Sequence, residues 1–272
     1  MLDLNSKNIQ LQFEGFCNTP SLWNNADIFD LQQFHIKNNS TSIFEGEIPK
    51  YLRLGKRVER FVAHQLKQDI TISILAENVQ IQQEKITVGE IDFIIKENQT
   101  PIHLEIVYKF YLYDETTGKT EIEHFIGPNK RDSLLQKLTK LQQQQLPLLY
   151  NTNTKKLLNK LNLNSTEIVQ KVLFKAQLFL PYNCKTPELK QLNSDCIKGY
   201  FISFVELSNF SKCKFYIPEK VNWLQEIQTQ VHWLTFESFL PKASIYIEQK
   251  TSPLCWVKQP NGEVLKIFIV WW

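Results

Sequence analysis

The sequence predicts an α/β or α+β fold built on a mixed sheet, and two observations carry that expectation. Hydrophobic periodicity reads as a helix, three strands, a helix, a strand and then a mixed C-terminal part. The 272 residues, 43% hydrophobic and 22% charged, are enough for one large domain or two small ones around a packed core. The expected organisation is an N-terminal arm over 1–48, a core over 49–182 and a C-terminal α+β extension over 183–272 packed on the core.

The first 48 residues are rich in Asn, Gln and aromatics with weak periodicity, and read as a strand or irregular arm plus a short helix near Ala26–Phe34. After Pro49 a stronger helical pattern runs from Lys50 to about Gln68. Ile70–Leu75 and Val79–Gln82 are strand-like. Ile86–Lys96 and Ile102–Tyr113 are two clear strands, joined by the turn Glu97-Asn98-Gln99-Thr100-Pro101. Asp132–Gln145 reads as a helix, capped by Asp132 and stopped before Pro147, with Gln142–Gln145 as a solvated helical face. Lys155–Leu161 and Thr166–Lys171 are short elements, and Val172–Leu180 is a strand ending at Pro181. Residues 183–195 form a loop, Tyr200–Glu206 a strand, and Pro218 opens a helix. Asn261-Gly262 supplies the turn of a final hairpin between Cys255–Gln259 and Val264–Val270.

Composition removes several function classes. The eight glycines lie at 15, 46, 55, 89, 118, 127, 199 and 262, so the closest pair is nine residues apart. A Walker loop or dinucleotide fingerprint needs two or three glycines within about six residues, because only Gly lets backbone N–H groups close round a phosphate. The five cysteines show no C-x-x-C pairing, which excludes a zinc ribbon or finger pattern. An odd cysteine count, with no basic segment and apolar run after Met1, reads as a cytoplasmic protein. No uncharged apolar stretch approaches the ~18 residues of a membrane span, so no membrane partner is expected. The formal net charge of +3 is too small to announce a nucleic-acid partner on its own.

The chemistry concentrates in the middle of the chain. Residues two apart share one face of a strand. Ile102, Leu104, Ile106, Tyr108, Phe110 and Leu112 therefore make an apolar face, and His103, Glu105, Val107, Lys109, Tyr111 and Tyr113 the other. In the preceding strand, Ile91, Phe93 and Ile95 are the apolar set, while Glu90 and Asp92 point the other way. Asp92, Glu105 and Lys109 thus share one surface, which is either the solvent face of a half-exposed sheet or a site. On the first helix, Glu59 falls inside the packed stripe of Leu52, Gly55, Val62 and Leu66. A carboxylate there needs a partner: a metal ion, or a lysine such as Lys56 on its own helix. Three carboxylates and a lysine on a helix and two strands suit Mg²⁺ or Mn²⁺, which takes a few carboxylate oxygens and keeps several waters.

Basic residues surround this group. All four arginines are here: Arg53, Arg57 and Arg60 on the first helix and Arg131 before the second. Lys130, Lys137 and Lys140 add to the second cluster. Arginine forks match phosphate oxygens, so Arg53, Arg57, Arg60, Lys130 and Arg131 are the expected nucleic-acid contacts, with a solvated helix face as the alternative. Trp271 and Trp272 dock either on the core or on a second copy in a homodimer, which the sequence leaves open.

The phrases Gly89-Glu90-Ile91-Asp92-Phe93-Ile94-Ile95 and His103-Leu104-Glu105-Ile106-Val107-Tyr108-Lys109-Phe110-Tyr111-Leu112 resemble the PD-(D/E)XK nuclease superfamily. More narrowly, these strand phrases and Gly127-Pro128-Asn129…Asp132…Lys137 resemble a bacterial group, domain-of-unknown-function family 1853. The resemblance covers roughly residues 50–182 and more loosely the whole chain. It implies a restriction-endonuclease-like αβββαβ core and Mg²⁺- or Mn²⁺-dependent phosphodiester hydrolysis of nucleic acid, DNA first. It makes Asp92 and Glu105 catalytic metal ligands, with Glu59 as the helix carboxylate that completes the set. The superfamily's lysine stands two residues after the carboxylate, where this chain has Val107. Lys109, four residues on, or Lys137 on the next helix is then the expected catalytic lysine. A catalytically inactive nucleic-acid-binding module and a protein–protein scaffold using the aromatic C-terminal part are the alternatives.

Overall fold

The computed structural model describes residues 4–24, 27–36 and 42–272. Fifteen residues form helix α1 (Leu4–Asn18), where the sequence suggested a strand or irregular arm. Ile9, Gln12, Phe13, Phe16 and Cys17 are buried along it, a helical spacing diluted by the polar residues between them. Met1, Leu2 and Asp3 lie outside the described residues, as does Ala26 of the helix expected near Ala26–Phe34. Over 27–34 the chain instead forms a turn and single bridges, with Phe29 and Asp30 at φ 55° and 57°, values no right-handed helix accommodates.

The fold is a mixed α+β architecture with a large mixed sheet, and the chain divides into two compact units. One unit comprises residues 21–108 and 136–175. It begins with helix α2 (Leu54–Gln68), whose buried face is Val58, Phe61, Val62, Gln65 and Leu66. The two short strands expected after it are one long strand, β1 (Ile72–Gln83), which pairs antiparallel with β2 (Ile86–Glu97). β2 pairs antiparallel with β3 (Thr100–Tyr113), in register from Phe93 opposite Leu104 to Glu97 opposite Thr100. Asn98 and Gln99 make that turn at φ 47° and 80°, without a glycine.

The expected helix after Asp132 is shorter and more varied than one regular helix. α3 (Leu134–Lys140) widens into a π-helical turn over Leu141–Gln145 and tightens to a 3₁₀ turn over Leu146–Tyr150, which absorbs Pro147. Helix α4 (Lys155–Leu161) follows, ending at Asn162 in the left-handed conformation. Ile81, Ile91, Ile94, Leu148, Leu149, Leu158 and Ile168 form the core cluster of this unit.

The other unit comprises residues 1–20, 109–135 and 176–272. Here the end of β3 pairs with the two-residue β4 (Phe125–Ile126). The C-terminal part of β5 (Val169–Pro181) pairs parallel with β6 (Ile197–Ser203). β6 pairs parallel with β9 (Val264–Val270), and β9 closes the expected hairpin with β8 (Leu254–Lys258), with Gly262 at φ +91° in the turn. Gly199 sits where β6 approaches β9: a Cβ there would meet the Lys266 carbonyl oxygen at 2.1 Å. β7 (Lys214–Tyr216) pairs with β8.

Pro218 does not open a regular helix; the chain makes a 3₁₀ turn at Lys220–Leu224. The true helix is α5 (Phe236–Glu248), capped by the Thr235 hydroxyl accepting from the Ser238 N–H. Pro241 inside α5 hides it from a sequence reading. Phe239 of α5 stacks on Phe215 of β7 at 4.1 Å between ring centroids, within a core that includes Ile202, Val257, Ile267 and Ile269. Among the described residues, no helix is long and apolar enough to cross a membrane.

Candidate metal centre

The site grows from a charged residue on the buried side of α2: Glu59 lies beside Val58 and Val62 and is 8% exposed. The alternation of β2 turns Glu90 and Asp92 to one side of their strand. Glu59, Glu90 and Asp92 meet, each offering a carboxylate oxygen within 4.8 Å of the others. Asp92 lies just beyond the register between β2 and β3. Its Oδ2 accepts the Ile106 N–H at 2.9 Å, so the side chain continues the hydrogen bonding where the two backbones part.

Lys56, one helical turn before Glu59, places its ammonium among these acids. Nζ donates to Glu59 Oε2 at 2.7 Å, to Asn78 Oδ1 at 3.0 Å and to Glu90 Oε1. Asn78 reaches it from β1 at φ 53°, a left-handed conformation that Asn tolerates. Desolvation lowers the Lys56 pKa, but the hydrogen bonds and charges of Glu59 and Glu90 outweigh it and the net shift is upward. Burial raises the Glu59 pKa, opposed by Lys56 and assisted by the charges of Glu90 and Glu105. Asp92 is pushed up to about 8, first by burial and then by the charges of Glu105 and Glu59, against the Ile106 N–H and Lys56.

This donor set fits a small divalent cation. It is all oxygen and clustered, and one member, Asp92, holds its proton near neutrality because burial, and then the charges of Glu105 and Glu59, disfavour its anion. A cation bound there would relieve the repulsion that raises Asp92.

Glu105 stands beside the cluster and is completely buried, as is His103, so this face of β3 is not the solvent face of a half-exposed sheet. Glu105 Oε1 lies 3.0 Å from His103 Nε2 and 3.5 Å from the Asp92 N–H, and Oε2 accepts from Gln145 Nε2 at 2.6 Å. Of the expected ligands, Asp92 and Glu59 thus come together with Glu90, while Glu105 is hydrogen-bonded through both oxygens next to them.

Each of the two expected lysines contacts another polar side chain. Lys109 pairs with Asp132 at 2.6 Å, and Val107, where the resemblance led us to look for a lysine, is 4% exposed core. Lys137 donates to Gln145 Oε1 at 2.6 Å. The lysine that does reach the acids, Lys56, and the third acid, Glu90, were both legible as neighbours: three residues from Glu59 on a helix, and two from Asp92 on a strand.

The basic residues divide. Arg53, at the N-cap of α2, is exposed. Arg60 is exposed and pairs with Glu77 at 3.2 Å. Arg57, in contrast, is 4% exposed and donates to the carbonyls of Leu52 and Lys50 at 2.9 and 2.8 Å, which removes it from the basic face and makes it a clasp on the segment before α2. In the other unit, Arg131 is exposed, and the Lys130 ammonium lies 3.8 Å over the ring of Trp272. Trp272 Nε1 also donates to the Pro128 carbonyl at 3.1 Å, so this tryptophan docks on its own chain.

Residues 17–269 match the family model described as Domain of unknown function (DUF1853). No curated protein and no solved structure matches the chain. The family match takes in α2, the three strands after it and the C-terminal hairpin, and the chain therefore belongs to the DUF1853 family.

Proposed function

We propose that this protein is a metal-dependent phosphodiesterase acting on nucleic acid, DNA first, with the Glu59–Glu90–Asp92 group as its metal centre. The observation that carries the reading is the convergence of these acids, one of them pushed up to about 8, around a lysine ammonium. The order of α2, β1, β2, β3, α3 and β5 supports a restriction-endonuclease-like core, as does the resemblance of the β2 and β3 phrases to PD-(D/E)XK nucleases.

Glu59, Glu90 and Asp92 would hold Mg²⁺ or Mn²⁺. When bound, such an ion supplies an activated water and neutralises charge on the phosphodiester. Lys56 replaces Lys109 and Lys137 as the lysine of the site: its Nζ is the ammonium already among the acids, positioned to orient a water or a scissile phosphate oxygen. Glu105 adds negative charge beside Asp92 without being a ligand in this arrangement. Arg53 and Arg60 offer exposed forks for phosphates along α2.

A second reading, nucleic-acid binding without hydrolysis, draws on the same lysine. With Glu59 and Glu90 both paired to the Lys56 ammonium, the group can serve as an ion-pair network. Incubating the protein with labelled single- and double-stranded DNA and RNA, with Mg²⁺ or Mn²⁺, separates the two. Cleavage that chelator stops and that Asp92→Asn and Glu90→Gln abolish supports the enzyme. Salt-sensitive binding without cleavage, unchanged by these substitutions, supports the binding module.

A further inference from the structure

Behind the acids lies a polar chain that the proposed reaction leaves without a role. Leu138 and Leu141 are fully buried, and the π-helical turn that follows ends at Gln145, which is half-buried. Such an amide needs partners, and Gln145 has two. Its Oε1 accepts from Lys137 Nζ at 2.6 Å and its Nε2 donates to Glu105 Oε2 at 2.6 Å. An ammonium can only donate, so Lys137 fixes which end of the amide faces Glu105.

The other end of Glu105 is fixed by the same logic. Gln170 Nε2 donates to the Leu146 carbonyl at 2.6 Å and lies 3.1 Å from His103 Nδ1. An amide nitrogen only donates, so Nδ1 accepts, and Nε2 carries the proton it gives to Glu105 Oε1 at 3.0 Å. One carboxylate thus has Oε2 held by the Gln145 amide and Oε1 by the His103 imidazole, itself oriented by the Gln170 amide. The π-helical turn Leu141–Gln145 is the element that carries the first of these amides, and such turns recur at functional sites.

We propose that Gln145 is a positioning residue for the metal centre: oriented by Lys137, it holds Glu105 as a fixed negative charge behind Asp92 and so sets the affinity of the Glu59–Glu90–Asp92 group for a divalent cation. This rests on the reading of that group as a metal centre. Groups that hold a site's charges from behind typically govern its metal affinity by about 10–100-fold.

The test is calorimetric titration of the metal-free full chain with Mn²⁺, with no nucleic acid present. Gln145→Met keeps the volume and removes the donor, and should weaken Mn²⁺ binding about tenfold or more. Lys137→Met should weaken it about threefold, since the amide remains but loses its fixed direction. Thermal unfolding of the metal-free variants, measured alongside, separates lost stability from lost affinity. Wild-type Mn²⁺ affinity in Q145M overturns the proposal while the metal centre stands. No Mn²⁺ binding by the wild type overturns both.

Discussion

Replacing Asp92 by Asn should stabilise the metal-free protein at alkaline pH, although it removes a charge from the centre of the site. The carboxyl is raised from 3.8 to about 8, so the folded state favours its protonated form. That preference contributes stability fully present below pH ~4 and lost as pH rises through ~8. About four units at ~1.4 kcal/mol each set a ceiling on the order of 5 kcal/mol at pH 8. Glu59 and Glu105 share the load, so about half, ~2–3 kcal/mol, is expected in the difference between the proteins.

Asn mimics the protonated acid and keeps an oxygen for the Ile106 N–H, so its stability should not show this loss. In chelator, Asp92→Asn should melt about 5–10 °C above the wild type at pH 8 and close to it at pH 4.5. The assay is a thermal melt at both pH values, repeated with Mn²⁺. With the ion at about 100 times its Kd, the wild type should gain ~2.7 kcal/mol and the variant much less. A variant less stable than the wild type at pH 8 in chelator would refute the reasoning, because Asp92 would then be an ordinary ionised acid.

Four further outcomes follow from the structure. Lys56→Met leaves Glu59 and Glu90 without their ammonium; with Lys56 partly exposed, metal-free stability should fall by only about 1–2 kcal/mol, and Mn²⁺ should restore it, as melts with and without the ion would read. Arg57→Met should destabilise by about 1–3 kcal/mol by freeing the Leu52 and Lys50 carbonyls, yet leave the salt dependence of nucleic-acid binding unchanged. Arg53→Ala and Arg60→Ala should each reduce the slope of log K against log salt by about 1. Gly199→Ala should cost more than about 2 kcal/mol, because its Cβ meets a backbone carbonyl that cannot turn aside; a neutral result in a urea melt would contradict the close approach of β6 and β9.

Particular elements show how far the sequence could be read. β2, β3 and the hairpin of β8 and β9 were legible because each is a run of apolar residues closed by a clear turn. α1 was not, because its buried positions include Gln12 and its exposed ones are as polar as a loop. α5 was hidden by its internal proline. Strand alternation and helical spacing put Asp92 and Glu59 on the faces where they meet Glu90. Alternation also grouped Glu105 and Lys109 with Asp92, but it cannot see what covers a face. Gln145 and Gln170 tie up Glu105 and His103, and Asp132 draws Lys109 away. Charge pattern alone likewise could not distinguish Arg57, folded back on its own backbone, from the exposed Arg53 and Arg60.

A crystal structure with Mn²⁺, read by its anomalous scattering, tests the central claim most directly. The account predicts one ion bonded by oxygens of Glu59, Glu90 and Asp92 at about 2.1–2.2 Å, with the Lys56 ammonium moved off Glu59 and Glu90. Strong anomalous density elsewhere, or none, with Lys56 still bridging the two glutamates, would contradict it.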